Sequence, residues 1–477
     1  MSGLEDCSSL VRDLTPVDLS GALDVPAVYP RPGGARGLSE ALDMTVSKLL
    51  RESRMREGGQ GTAAPSISGR VIASAAPVLG VLLDVVDADG PCASVVWYCA
   101  EGDRAVTSPA LIRPENWGEL VEQVRQGARS LPGADAEGMV AQLQEQPRPW
   151  GNGPAIIPAA DGALRLLFPA APFTEGHGEA LVQIAAGPSS ALLSELGEQI
   201  RDAIAHPAEF DPGQVTVPDP DQRRGEESYD DDEPVLTAHP ARESTGPGPR
   251  TQLAPLAEPG TPPSAVTAPD ARRLRAVALT FDDGPSPELN ATLRSHLASH
   301  GAAATFFFIG QSATAAPAPA AATAADGHEI GGHSWSHPDL SHVSPQRLER
   351  EIDRTTQVIA EVTGRAPNHM RPPYGAENAR VDRQAGVHQQ SLQLWSVDSL
   401  DWKHRDVDRN LQEITSQCTR GAIVLMHEIH KASVATVPPL LDWFSEHDYT
   451  LLTCCELGQN QMHAGKSYHR GPTQREA

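Results

Sequence analysis

Apolar residues recur along this chain with two different periods. Near the front, Leu38, Leu42, Val46, Leu49 and Leu50 fall at helical spacing, while Val78 to Val86 and Ser94 to Tyr98 read as buried strands. Trp117, Leu120, Val121 and Val124 predict a second helix, and Leu164 to Phe168, after the turn signal Asp161-Gly162, another strand. Beyond Arg275, strands and helices alternate. Ala276 to Phe281 is a strand-like run stopped by Gly284 and Pro285, and Leu289, Leu293 and Leu297 mark a helix closed by Gly301. Ala302 to Ile309 is the next strand. Ser344 and Pro345 open a helix in the N-cap and first-turn positions, with Leu348, Ile352, Ile359 and Val362 on its apolar face and Gly364 as its stop. Leu392 to Val397 and Ala422 to Met426 are further strands. Such alternation implies parallel pairing, with functional groups gathered at the carboxyl ends of the strands.

The chain has 477 residues, and its 42 prolines and 41 glycines point to a linker between two domains. Residues 207–270 are rich in Pro, Gly, acidic residues, Ser and Thr, too poor in apolar side chains to build a core. The expected organisation is an α+β domain over 10–206, a disordered linker over 207–270, an α/β domain over 271–460 and a flexible tail over 461–477. A formal net charge of -24 disfavours nucleic acid as a partner and is compatible with neutral glycans. Six cysteines show no CxxC pairing. Cys92 with Cys99 as a disulfide, or both as separate thiols, stay open; Cys454 and Cys455 read as structural. No run approaches the roughly 20 apolar residues of a membrane span. The opening MSGLEDCSSL lacks signal-peptide features, so export is expected to need a start upstream of Met1.

His333 and His337, four apart in HSWSH, would lie on one face of a helical turn and share a metal, although such pairs often arise without one. Metalloprotease chemistry needs Glu directly after the first His, where Ser334 stands. A carboxylate must come from elsewhere, and Asp282-Asp283 at the first strand end offers two. On an extended strand they point apart, one to ligate and one to act as base; alternatively they cap the next helix. Two histidines and one carboxylate leave a coordination position open, as catalytic zinc requires.

TFDDGP at 280–285, HSWSH at 333–337, RPPYG at 371–375, DSLDW at 398–402 and LMH at 425–427 together resemble, in order, the five motifs of the NodB-like polysaccharide deacetylases, carbohydrate esterase family 4. The resemblance implies a distorted (β/α) barrel and a divalent metal, zinc first with cobalt or another transition metal as alternatives, held by Asp283, His333 and His337. It further implies Asp282 as general base and Arg371 as the residue that orients it, a bidentate guanidinium being suited to that role. The backbone N–H of Tyr374 would stabilise the oxyanion. His427 would be the general acid, kept charged by Asp401, and Trp402 and Leu425 would line the acetyl-methyl pocket, unless both are simply core. The implied reaction is amide hydrolysis that leaves acetate and a free amino sugar. YPRPGGARGLSEAL, NWGELVEQV and IAAGPSSALLSEL in the front domain resemble the extracellular domain of RsiV-type anti-sigma factors, which implies binding or scaffolding there and a location outside the cytoplasmic membrane.

His328, His342, His404 and His430 match no ligand position and read as surface or loop residues. Gly332 stands where many relatives have Asn, and Pro317 and Pro319 are expected to weaken the alanine-rich stretch 314–325. Peptidoglycan is the first-ranked substrate, with chitin oligomers as the alternative. A noncatalytic glycan-binding protein or an iron-dependent oxygenase are the competing classes; retention of base, ligands and acid disfavours the first, and RPPYG with the second aspartate disfavours the other. No obligate protein partner is evident. Because all five motifs follow the linker, a fragment from Arg275 to Gly458 is expected to act alone on small oligomers.

Overall fold

The computed structural model describes residues 4–56, 64–87, 90–145, 154–169, 179–211, 274–459 and 462–471. The linker expected at 207–270 lies outside these except for 207–211, where Phe210 is buried edge-on against Tyr98.

In the front region a six-stranded sheet runs Leu14–Asp18, Ala27–Pro32, Ser66–Ala75, Val78–Asp87, Gly90–Cys99 and Arg104–Val106, in sequence order. Cys92 and Cys99 both lie on Gly90–Cys99, seven residues apart on one extended strand and therefore about 23 Å apart, so they do not pair. The helices Trp117–Arg129 and Ala136–Glu145 pack on a separate three-stranded sheet around Trp117, Leu120, Val124, Leu164 and Phe168.

The second region is a curled sheet of parallel strands. Its order is Val397–Asp398, Ile423–His427, Ala276–Gly284, Thr305–Phe308, Glu329–Gly332, His369–Met370, Ser391–Gln393 and Ser467–Tyr468, with Thr450–Leu452 also pairing with Ala276–Gly284. Ser391–Gln393 and Val397–Asp398 are consecutive in the chain yet sit near opposite ends of this path, so residues 394–396 bridge the gap and the sheet forms a distorted barrel. Helices on its outside follow the expected signals. Ser344 accepts from the Arg347 N–H at the start of Pro345–Thr363, and Gly364 ends that helix with φ 78°. Pro317 begins a new helix, Pro317–Ala325, after Gly310–Ala315 has ended, instead of weakening one continuous helix. Part of the expected tail is seated: Ser467–Tyr468 pairs with Ser391–Gln393, and Met462 and Tyr468 are buried.

The two regions share one apolar core, which includes Leu38, Leu42 and Val46 of the front helix and Phe306, Ala320 and Ala324 of the barrel. The helix Arg36–Arg56 is covered on its polar side as well. Glu40, Asp43, Ser47 and Lys48 are all buried. Arg365 donates to the Asp43 carbonyl at 2.9 Å and to Ser47 Oγ at 2.6 Å, Arg36 donates to the Gln389 carbonyl at 2.8 Å, and Arg51 pairs with Glu456. Arg365 and Gln389 precede His369–Met370 and Ser391–Gln393, and the Gly327 carbonyl, which accepts from Arg51 at 2.9 Å, precedes Glu329–Gly332, so the front helix caps the amino ends of these strands. The carboxyl ends at the opposite side remain for chemistry.

Candidate active site

Asp282 and His427 end two adjacent parallel strands and are register partners. The strand carrying the aspartates does not stay extended. Asp283 adopts φ 70°, and the pairing with Thr305–Phe308 slips between Asp282 and Gly284. This bulge turns Asp283 out of the ladder toward the two histidines. The histidines are not on a helical turn either: Ser334 has φ 59° and His337 φ 58°, and the loop holds the rings 5.0 Å apart, edge to face. Four-residue spacing is served here by two left-handed residues instead of a helix.

Ligating atoms of Asp283, His333 and His337 all lie within 4.8 Å of one another. His333 Nδ1 is 2.7 Å from the Arg371 carbonyl, which can only accept, so Nδ1 carries the proton and Nε2 presents a lone pair. That lone pair faces Asp283 Oδ1 and Asp282 Oδ2, each at 3.6 Å, and His337 Nε2 is 3.3 Å from Asp283 Oδ1. Burial pushes the His333 ring down to about 3, so it is neutral. Asp283 Oδ1 is buried without a hydrogen bond. Lone pairs converging on a carboxylate oxygen repel one another unless a cation lies between them, so this donor set fits a divalent ion.

Asp282 has a different environment. Arg371, wholly buried, reaches its Oδ1 with one nitrogen, Nη1, at 2.7 Å, and the same nitrogen donates to Thr280 Oγ1 at 2.8 Å. The other donors, Nε and Nη2, go to the carbonyls of Gln393 and Leu394. The expected bidentate pair is thus a single contact, because the barrel wall uses the remaining guanidinium donors to fix the arginine. Burial raises the Asp282 carboxyl above its ordinary 3.8, with Arg371 and His427 opposing.

Asp401 Oδ1 is 2.7 Å from His427 Nδ1, and its Oδ2 accepts the His427 backbone N–H at 2.8 Å. Burial disfavours the charged ring of His427, but this hydrogen bond and the carboxylates of Asp401, Asp282 and Asp283 overcome it and push the ring up to about 9. Leu425 is buried, whereas Trp402, whose backbone N–H donates to Asp401 Oδ1 at 2.8 Å, is half exposed at 50%. Tyr374, 71% exposed with φ 63°, places its hydroxyl 3.2 Å from His337 Nδ1, a side-chain contact that the motif alone does not announce.

Glu428 escapes sequence reasoning, having no spacing signal beyond following His427. It is buried, its N–H bonds the Asp282 carbonyl at 3.0 Å, its Oε1 accepts the Ser286 N–H at 2.8 Å, and burial raises its carboxyl to about 7. A Cβ on Gly284 would collide with it. His328 is the other correction: far from the surface, it is 3% exposed beside Phe306, and burial pushes its ring down to about 3.

Residues 270–390 match the polysaccharide deacetylase family model. A peptidoglycan-N-acetylglucosamine deacetylase of Listeria monocytogenes is 37% identical over 209 residues, 43% of this chain and 44% of that protein. The chain therefore spans less than half the length of that relative. A chitooligosaccharide deacetylase of Bradyrhizobium is 36% identical over 160 residues, 33% of this chain and 73% of that protein. Among solved structures, a family 4 carbohydrate esterase from Streptomyces lividans in complex with acetate is 30% identical, with a TM-score of 0.37, over 40% of this chain and 96% of that one. With the five motifs assembled at one end of a barrel and a relative of this identity matched over most of its length, the chain belongs to the polysaccharide deacetylase family.

Proposed function

We propose that this protein is a metal-dependent hydrolase that removes acetyl groups from the amino sugars of a polysaccharide, peptidoglycan first. The observation that carries the reading is the pairing of two unlike proton carriers on neighbouring strand ends, Asp282 and His427, beside a three-residue cation site. Asp283, His333 and His337 would hold the ion, which would polarise the acetyl carbonyl. Asp282, fixed by Arg371, takes a proton from the attacking water, and its burial-raised basicity suits that role. His427, charged through Asp401, gives a proton to the sugar nitrogen as the carbon–nitrogen bond breaks. Acetate and an amine leave. Leu425 and Trp402 flank the place for the acetyl methyl, and the Tyr374 N–H would donate to the oxyanion.

Peptidoglycan is favoured by the Listeria relative, and chitin oligomers are the second reading through the Bradyrhizobium one. Action at the cell surface is supported by the same peptidoglycan-acting relative; among the described residues no helix is long and apolar enough to cross a membrane. The front region, with its RsiV-like motifs, would position the polymer. Incubating the full chain with zinc and purified peptidoglycan, or chitin oligomers, and measuring acetate and free amines tests this directly. Acetate from peptidoglycan is expected; no acetate from either glycan with zinc or cobalt would overturn the proposal.

A further inference from the structure

A second group of metal-ligating side chains lies at the other end of the barrel, where the front helix meets it. Glu40 comes from that helix, His369 from the strand His369–Met370 and Cys455 from the short helix Cys454–Gly458; all three are buried, and their ligating atoms lie within 4.8 Å of one another. Cys455 Sγ is 3.0 Å from Glu40 Oε1, which is 3.8 Å from His369 Nε2. Tetrahedral ligands at zinc bond lengths stand about 3.3–3.8 Å apart, so these separations need little adjustment.

Two further observations point to a cation. His369 Nε2, wholly buried, makes no well-aligned hydrogen bond; it faces two carboxylates, Glu329 Oε1 at 3.1 Å, with which it pairs when charged, and Glu40 Oε1 at 3.8 Å. The surrounding groups are arranged as supports. His369 Nδ1 is 2.5 Å from Ser391 Oγ, Glu329 Oε2 accepts from Thr305 Oγ1 at 2.8 Å and from the Cys455 N–H at 3.1 Å, and Arg36 pairs with Glu40 Oε2 at 2.7 Å. A ligating histidine normally has its other nitrogen fixed by such a partner. A cavity lined by Ser47, Arg51, Glu329 and Cys455 adjoins the cluster.

We propose that Glu40, His369 and Cys455 form a second, structural cation site of the zinc class, with Glu329 as the adjacent fourth oxygen donor, that staples the front region to the floor of the barrel. Binding forms a metal–sulfur bond, and the Cys455 thiol proton leaves to solvent. His369 lies two residues before Arg371, so the ion would also fix the strand that anchors the base. The site shares no ligand with the cleft and contains the thiolate that the cleft lacks.

Cobalt reconstitution of the full chain separates the two sites, because only thiolate ligation gives a sulfur-to-cobalt charge-transfer band in the near ultraviolet. The wild type is expected to bind about two equivalents and show the band. His333→Ala should fall to about one equivalent with the band retained, and Cys455→Ser should fall to about one with the band lost. A folded wild type that takes up one equivalent and shows no band would overturn the proposal, whatever the variants do. So would a band that survives Cys455→Ser. The cluster would then be a protonated hydrogen-bond network.

Discussion

The two ends of the barrel hold buried polar clusters of similar composition that were formed in different ways. At the carboxyl ends, carboxylates and imidazoles come from strand ends and loops of the barrel alone, and the two adjacent aspartates have different surroundings. Asp283 faces two histidines, while Asp282 faces an arginine and Thr280. At the amino ends, part of the cluster comes from a helix more than 200 residues earlier, and Arg36, Arg51 and Arg365 satisfy the Gln389 carbonyl, Glu456 and the Asp43 carbonyl across the junction. The first cluster keeps polar atoms unsatisfied for a ligand. The second mainly pairs them, and Glu40 Oε2 and His369 Nε2 are left with ion pairs but no hydrogen bond. Polar burial therefore signals chemistry only where pairing is incomplete.

The widest gap between the two ends should appear on mutating the cleft. Asp282→Asn should lower turnover on the order of 100- to 10,000-fold while metal content stays intact, because an amide cannot accept the water's proton. Asp283→Asn should instead lose metal, its neutral oxygen being a poorer ligand. Metal analysis beside turnover decides; if Asp282→Asn were metal-free and rescued by excess zinc, the two roles would be exchanged.

At the opposite end, Arg51→Ala leaves Glu456, 1% exposed, without its guanidinium. A loss of about 3 kcal/mol in chemical denaturation of the full chain is expected, with turnover under folding conditions unchanged. The same junction bears on the Arg275–Gly458 fragment: it would expose the apolar and charged surface that the front helix covers, so low solubility is the expected result. An equally stable, active fragment would show that the junction contributes little.

The cleft was legible because five short motifs fix residue types at strand ends, and strand ends are where a parallel barrel presents them. Their local geometry was not. The bulge at Asp283 and the left-handed Ser334 and His337 depend on close packing that no period reports. The front helix was legible as an element from Leu38, Leu42 and Val46, yet its spacing does not announce that its polar face is buried, because the partners of that face begin near residue 327. His328 read as a surface residue for the same reason.

Within the cleft, pH separates the acid from the base. Below its folded value of about 9 the His427 ring is charged, so the acid is available and activity should fall as pH rises through that value. The same raised value means that the ring's contribution to stability is full below 6.5 and lost on the way to 9. Asp401→Asn removes the first partner holding the proton, so the alkaline limb should move toward lower pH, with turnover at pH 8 down on the order of tenfold. An unmoved limb would assign it to another group.

A subtler change asks whether a sequence signal and the junction are independent. Gly364 was legible as a helix stop, and its φ of 78° accounts for glycine by itself, a Cβ there costing about 1–2 kcal/mol. The structure adds a second reason, because that Cβ would also lie 2.9 Å from Leu19 Cδ2 and 3.2 Å from the Asp18 carbonyl of the front region. Gly364→Ala in the full chain should therefore cost more than the backbone term. In a Leu19→Ala background the side-chain contact is gone, and the cost of Gly364→Ala should fall back toward about 1–2 kcal/mol. Denaturation of the four proteins in this cycle gives the coupling. A coupling indistinguishable from zero would mean that Leu19 moves aside freely, leaving the backbone conformation and the Asp18 carbonyl as the reasons for glycine at this position.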